Sequence, residues 1–215
     1  MDEVKTAEQT TEETTAVATA PQTSYAATMW NDNALLKQAY KAAQYLASSD
    51  LVPVETYKNK PQNCLIALDL SNRMGLAPLL VMQNLYIVKG KPAWSGSFCI
   101  TAVNGCGRFT PLEFVFTGES EEDAGCYAQA TRVADGKLCT GTKITMQMAK
   151  GEGWLDKSGS KWKTMPQQML MYRAASFFAR VYCPDVLMGV QTVDEVKDVN
   201  GYETEEKPVI TVSLD

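Results

Sequence analysis

Between Trp154 and Lys163 two tryptophans, Trp154 and Trp162, are interleaved with three lysines, Lys157, Lys161 and Lys163, and Tyr172 follows. Lysines neutralise phosphates and flat rings stack on any base, so this spacing suits a single-stranded nucleic acid. Tryptophans beside glycines equally suit the anchoring of a loop in a core, and both readings stand at this level. Further on, Met169, Arg173, Ser176 and Arg180 fall on one narrow stripe at helical spacing, while Leu170, Ala174, Phe177, Phe178 and Val181 cover much of the rest. Charge on a largely apolar helix must reach water, acids or a ligand, because an unpaired buried charge is costly. Arg173 and Arg180 therefore either hold a ligand or pair with carboxylates elsewhere in the chain.

Other chemistries are closed off. The chain has no histidine, which removes Ser–His and Cys–His nucleophile pairs and every histidine-containing metal site. The six cysteines, Cys64, Cys99, Cys106, Cys126, Cys139 and Cys183, form no C-x-x-C pair. A metal or redox site is one reading of them; reduced, buried small hydrophobes in a cytosolic protein is the favoured one. Lys89-Gly90-Lys91-Pro92 lacks the earlier glycine and the following Ser or Thr of a phosphate-gripping loop, so no ATP dependence is expected. The carboxylates Glu119, Glu121, Glu122 and Asp123 imitate a metal site but fall between strands, where a solvated turn is expected. No cofactor and no metal are expected, and a metal-dependent nuclease using Asp and Glu is the weakest of the functional readings.

The net charge of −5 is unevenly spread. Residues 1–24 are acidic and threonine-rich, with Asp2, Glu3, Glu8, Glu12 and Glu13 against Lys5. Residues 194–215 carry seven acids against Lys197 and Lys207. Residues 143–180, by contrast, carry Lys143, Lys150, Lys157, Lys161, Lys163, Arg173 and Arg180 against Glu152 and Asp156 alone. A basic body between acidic ends is found in chains that touch nucleic acid, and also in ordinary domains with solubilising tails. No apolar run has the character of a signal peptide or the length of a membrane span, so a cytoplasmic protein without membrane contact is expected.

These residues need elements to hold them. Residues 1–28 are expected to be disordered, with a folded domain over 29–198 and a second acidic tail over 199–215. A first helix is predicted from Asn31 or Asp32 to Ser48, and a second from Pro61 to Gly75, with a left-handed stop at the glycine. A short helical turn follows Pro78. Leu85 to Val88 and Ala93-Trp94 predict a hairpin about Lys89-Gly90, and Ser95 caps a helix to about Asn104. Antiparallel strands are predicted over 109–117, 126–134 and 138–143, with a turn at Asp135-Gly136, then a short helix capped by Thr145. Thr164-Met165-Pro166-Gln167 predicts a capping box opening a long last helix to about Tyr182. The fold class expected is α+β: a small antiparallel sheet and a hairpin packed among helices, with a long C-terminal core helix.

Two stretches together resemble the RecT family of phage single-strand annealing recombinases. The first runs Asn63-Cys64-Leu65-Ile66-Ala67-Leu68 and on through Met82-Gln83-Asn84-Leu85-Tyr86-Ile87-Val88-Lys89-Gly90-Lys91-Pro92. The second is Trp162-Lys163-Thr164-Met165-Pro166, then Tyr172-Arg173-Ala174-Ala175-Ser176-Phe177-Phe178-Ala179-Arg180 and Tyr182-Cys183-Pro184-Asp185. The resemblance covers roughly residues 33–198 as a pattern of many weak positions. It implies an α+β fold related to annealing proteins of the Red beta and Rad52 type. It further implies binding of single-stranded DNA, ATP-independent annealing of complementary strands, and assembly into rings or helical filaments. A phage exonuclease and the host single-strand binding protein are the partners it implies. The family's basic positions fall near Lys163, Gln168 and Arg173; where many members have lysine, this chain has Gln167 and Gln168.

The expected site is a groove lined by Lys143, Lys161, Lys163, Arg173 and Arg180, with Trp162 and Gln168, holding the phosphodiester backbone while the bases stay exposed. Neighbouring protomers would lengthen it through the hairpin and the first helix. No bond-breaking step is expected. The rival reading is a structural or regulatory phage protein that uses the same fold for protein contacts alone.

Overall fold

Asp32 opens the first helix, its carboxylate accepting hydrogen bonds from the Ala34 and Leu35 amides at 2.7 and 3.2 Å. The computed structural model describes residues 29–200 apart from 121 and 158; the acidic tail expected at 1–28, and that expected at 199–215 from residue 201 on, lie outside the described residues. Helix α1 (Asn33–Ser48) packs against α2 (Pro61–Met74) by burying Ala43 and Ala47. Proline starts α2, and Gly75 ends it in the left-handed region at φ 64°, where a glycine carries no Cβ penalty. After α3 (Pro78–Asn84) the chain enters the hairpin of β1 (Leu85–Val88) and β2 (Lys91–Trp94). Lys89 and Gly90 both have positive φ, 49° and 77°, as a two-residue primed turn requires. Ser95 then caps α4 (Gly96–Gly105) by accepting from the Phe98 amide.

The second sheet is built on β4 (Gly125–Thr131). It pairs antiparallel with β3 (Glu113–Thr117) on one side, and with β5 (Leu138–Thr140) and β6 (Ile144–Thr145) on the other. Its core face is small, with Cys126, Ala128 and Ala130 all buried. Small residues let α6 (Pro166–Tyr182) lie close, burying Leu170, Ala174, Phe178 and Ala179 between this sheet and α4. Helix α5 (Met146–Gly151), capped by Thr145, leads into the loop that carries the two tryptophans. After α6 a short 3₁₀ turn at Pro184–Leu187 leads to β7 (Gln191–Thr192) and α7 (Val193–Asn200). Trp94 joins the halves: it stacks on Phe98 at 4.1 Å, and its Nε1–H donates to the Leu187 carbonyl at 3.0 Å.

The fold is α+β, with both sheets small and α6 at the centre. Four local expectations are corrected. The strand predicted over 109–117 begins only at Glu113, Phe109 making an isolated bridge to Arg132. The strand predicted over 138–143 breaks into β5 and β6 at Gly141, whose N–H still donates to the Ala128 carbonyl of β4 at 2.8 Å while its backbone passes against Phe178 of α6. The hairpin gains a third strand, β7, which runs parallel to β2 and follows no local pattern. The capping box at Thr164 does not form. Thr164 and Met165 turn back onto the Lys161 carbonyl, Met165 takes the cap position, and no side chain caps α6. Among the described residues no single helix is long and apolar enough to cross a membrane; α2 and α3 together reach that length but meet at a 115° bend.

Candidate functional site

The arginine stripe of α6 is formed as the spacing predicts, and it is occupied. Arg173 is 5% exposed; its Nη2 donates to the Asp198 carboxylate on α7, which Lys157 also engages. One turn on, Ser176 donates to Glu195 at 3.0 Å, and a further turn on Arg180 donates to Glu195 at 2.7 Å and to the Val190 carbonyl at 3.2 Å. Burial pushes the Glu195 carboxyl up, but hydrogen bonds from Arg180 and the Thr192 amide, the Arg180 charge and Ser176 hold it below its ordinary value. The hydrogen bond to Glu195 holds Arg180 above its own. Thr192 and Glu195 cap α7 reciprocally: the Thr192 amide donates to Glu195 at 2.7 Å, and the Glu195 amide to the Thr192 hydroxyl at 3.3 Å. Arg173 and Arg180 are thus satisfied from within, and neither lines an open groove with Lys143. Their carboxylate partners, Glu195 and Asp198, stand at the end of the expected folded domain, in the acid-rich stretch from residue 194 on.

Both tryptophans are also interior. Trp154 and Trp162 are 5% and 4% exposed, their ring centroids 5.1 Å apart, and the Arg173 guanidinium lies 4.0 Å from the centroid of the Trp154 ring. A base has no access to those faces. What the pair does is hold the chain between them, so that Lys161 and Lys163 project as exposed side chains on either side of Trp162. Lys161 reaches a pocket of about 160 Å³ that also borders Lys157, Arg173, Lys197, Asp194 and Asp198. Lys163 reaches a cleft of about 950 Å³ between the edge of the second sheet and the start of α6. Trp162 borders both.

The larger cleft contains Gln168 and Gln167 on the α6 side and Phe116 and Thr117 on the sheet side, and among the described residues no carboxylate lines it. Lys143 runs alongside. A Cβ placed on Gly125 would meet the Lys143 Cε at 2.8 Å and the Thr117 Oγ1 at 3.0 Å, so glycine is what lets the lysine stem cross beside the cleft. Lys163 makes one exposed pairing, with Asp156 at 3.4 Å; Lys143, Lys150 and Lys161 make no ion pair among the described residues. Glu119, Glu122 and Asp123 occupy the exposed loop between β3 and β4, at the end of the cleft marked by Gly118 and Ala124.

The structure therefore brings Lys161, Trp162, Lys163 and Gln168 together at the entry to α6, with Lys143 beside them; Arg173 borders the small pocket with Lys161 and Trp162 but is engaged there by Asp198, and Arg180 borders neither pocket. Phe116 and Met165 are the cleft residues that sequence reasoning missed. The pattern of β3 held a signal for Phe116, since it alternates with Phe114 on one face. Five of the six cysteines are buried and none is disulfide-bonded. Burial pushes Cys99 up to about 12 and Cys126 and Cys183 up to about 11, which leaves them as thiols. Among the described residues no group of three His, Cys, Asp or Glu could hold a metal ion. Comparison of the chain with protein-family models, curated proteins and solved structures returns no match.

Proposed function

We propose that this chain binds single-stranded DNA and anneals complementary strands without nucleotide hydrolysis, as the RecT resemblance implies. The observation that carries the reading is the Lys161-Trp162-Lys163 segment, whose two exposed lysines flank a buried ring and open onto adjoining pockets. A flexible polyanion laid across it meets Lys161, Lys163 and Lys143 in turn, and the Gln167 and Gln168 amides can bond to phosphate or base. The first turn of α6 adds the positive end of a helix that no side chain caps. The protein supplies charge neutralisation and positioning, and pairing of the bases supplies the selectivity.

Self-association belongs to the same proposal. Tyr45 on α1 and Ile87 on the hairpin are 68% and 49% exposed, which suits contacts between neighbouring copies that lengthen the binding path. The test is annealing of two labelled complementary oligonucleotides by nucleotide-free protein. The expected result is acceleration over the spontaneous rate, unchanged by ATP, and reduced by Lys161→Ala combined with Lys163→Ala. An absolute requirement for ATP, or full activity in the double variant, would overturn the reading.

A further inference from the structure

Phe116 occupies a position where an aromatic ring should be covered. In the β3–β4 ladder it stands opposite Cys126, and Phe114 stands opposite Ala128. Residues directly opposite in an antiparallel pair share a face of the sheet. Cys126 and Ala128 are fully buried, so Phe116 lies on the core face, where Phe114 packs against the core. Yet Phe116 is 47% exposed, and it lines the 950 Å³ cleft together with Pro166, Gln167 and Gln168 of the first turn of α6. The opposite wall has a second open apolar group, Met165, at 49% exposure. Between them the cleft is lined by Trp162 and Leu170 and, among the described residues, carries a single cation, Lys163.

We propose that Phe116 is a base-stacking residue: one nucleobase of a bound single strand enters this cleft and stacks on the Phe116 ring, its phosphate held toward Lys163. The inference rests on the single-strand-binding reading and names the contact that reading leaves open. A flat ring with a polar edge, attached to an anion, is the ligand that a cleft lined by apolar side chains, amides and one cation accommodates. The polar edge of the base has the Gln167 and Gln168 amides within the same cleft, which both donate and accept. The loop bearing Glu119, Glu122 and Asp123 fixes the orientation, since its carboxylates repel a phosphate from the opposite end. One base per protomer is engaged in this way, and the remaining bases stay free to pair.

The experiment uses the full chain and single-stranded oligonucleotides carrying 2-aminopurine at successive positions, with fluorescence quenching as the readout of stacking and anisotropy as the readout of affinity. Phe116→Leu keeps an apolar side chain without the ring, and Phe116→Trp restores a ring; thermal melts establish that both variants are folded. The expected result is quenching at a subset of positions in the wild type. Phe116→Leu loses it and binds at least about fivefold more weakly, the lower end of the range for one base–aromatic stack, and Phe116→Trp recovers both. Equal quenching and affinity in Phe116→Leu overturns the stacking contact while leaving single-strand binding intact. Unchanged affinity with an altered oligomeric state also overturns it and assigns the cleft to a protein contact. Absence of oligonucleotide binding by the wild type overturns both readings.

Discussion

Arg173 shows how burial changes the meaning of a charged residue. Its guanidinium is enclosed by Asp198, which Lys157 shares, and by the face of Trp154. Removing Arg173 deletes a charge-assisted hydrogen bond and the packing over Trp154, while Asp198 keeps Lys157. Arg173→Ala is expected to lower unfolding stability by about 1.5–3 kcal/mol, the range for a hydrogen bond to a charged group, measured by chemical denaturation. Affinity for single-stranded DNA, measured at a temperature where the variant remains folded, should stay within about twofold, since the net charge-assisted contact is internal. A stable variant with weakened DNA binding would return Arg173 to the binding surface. Glu195 makes the companion case through pH. Its folded value lies below its ordinary one, so its stabilisation is complete above the unfolded value and is lost as pH falls through the folded value. Melting temperature should therefore fall between about pH 5 and pH 3, the range in which a depressed carboxylate protonates. Glu195→Gln should start lower at neutral pH and lose less over that range.

Among the elements, α7 has the largest effect on the functional reading. Its capping residues, Thr192 and Glu195, also close the arginine stripe of α6, so one short helix end settles two kinds of unsatisfied polar group. Thr192→Ala should cost about 1 kcal/mol, as loss of a helix cap does. Thr164→Ala, at the sequence position that best resembles a cap, should change stability by less than about 0.5 kcal/mol, the usual range for an exposed substitution that removes no cap. Thermal or urea unfolding of the two variants in one buffer separates them; a larger loss in Thr164→Ala would mean that α6 is capped by Thr164 after all. The S/T-x-x-E pattern at Thr192–Glu195 was legible in the sequence. The acids around it mask it, because they read as solvated charge when the helix facing them is unknown.

For the whole molecule, the effective basic surface is smaller than composition suggests. Residues 143–180 hold seven cations, but Arg173, Arg180 and Lys157 are committed to carboxylates of α7. Lys143, Lys150, Lys161 and Lys163 remain for phosphates. With three to four phosphates neutralised per protomer, the log–log dependence of single-strand affinity on salt should have a slope of roughly −2 to −3. Titrations at several salt concentrations would check this. A slope near −5 would show that the α7 ion pairs open on binding, and a slope near zero would remove the electrostatic path.

The sequence by itself determined the class of the fold and most of its elements. Asp32, Pro61, Gly75, the Lys89-Gly90 turn, Ser95 and Thr145 act through bonds and backbone angles within a few residues of themselves, so their signals are local. It also placed Lys161, Lys163 and Gln168 near one another, since they are close along the chain. Tertiary structure alone decided which charges are spent and which surfaces stay open. Ion pairs between α6 and α7 join residues 15 and 25 positions apart. With α6 packed on β4, Phe114 of β3 is half-buried against the core while Phe116 stays open. A local pattern states that an arginine or an aromatic ring lies on a given face, but whether that face meets a carboxylate, the core or solvent depends on where a distant segment folds back.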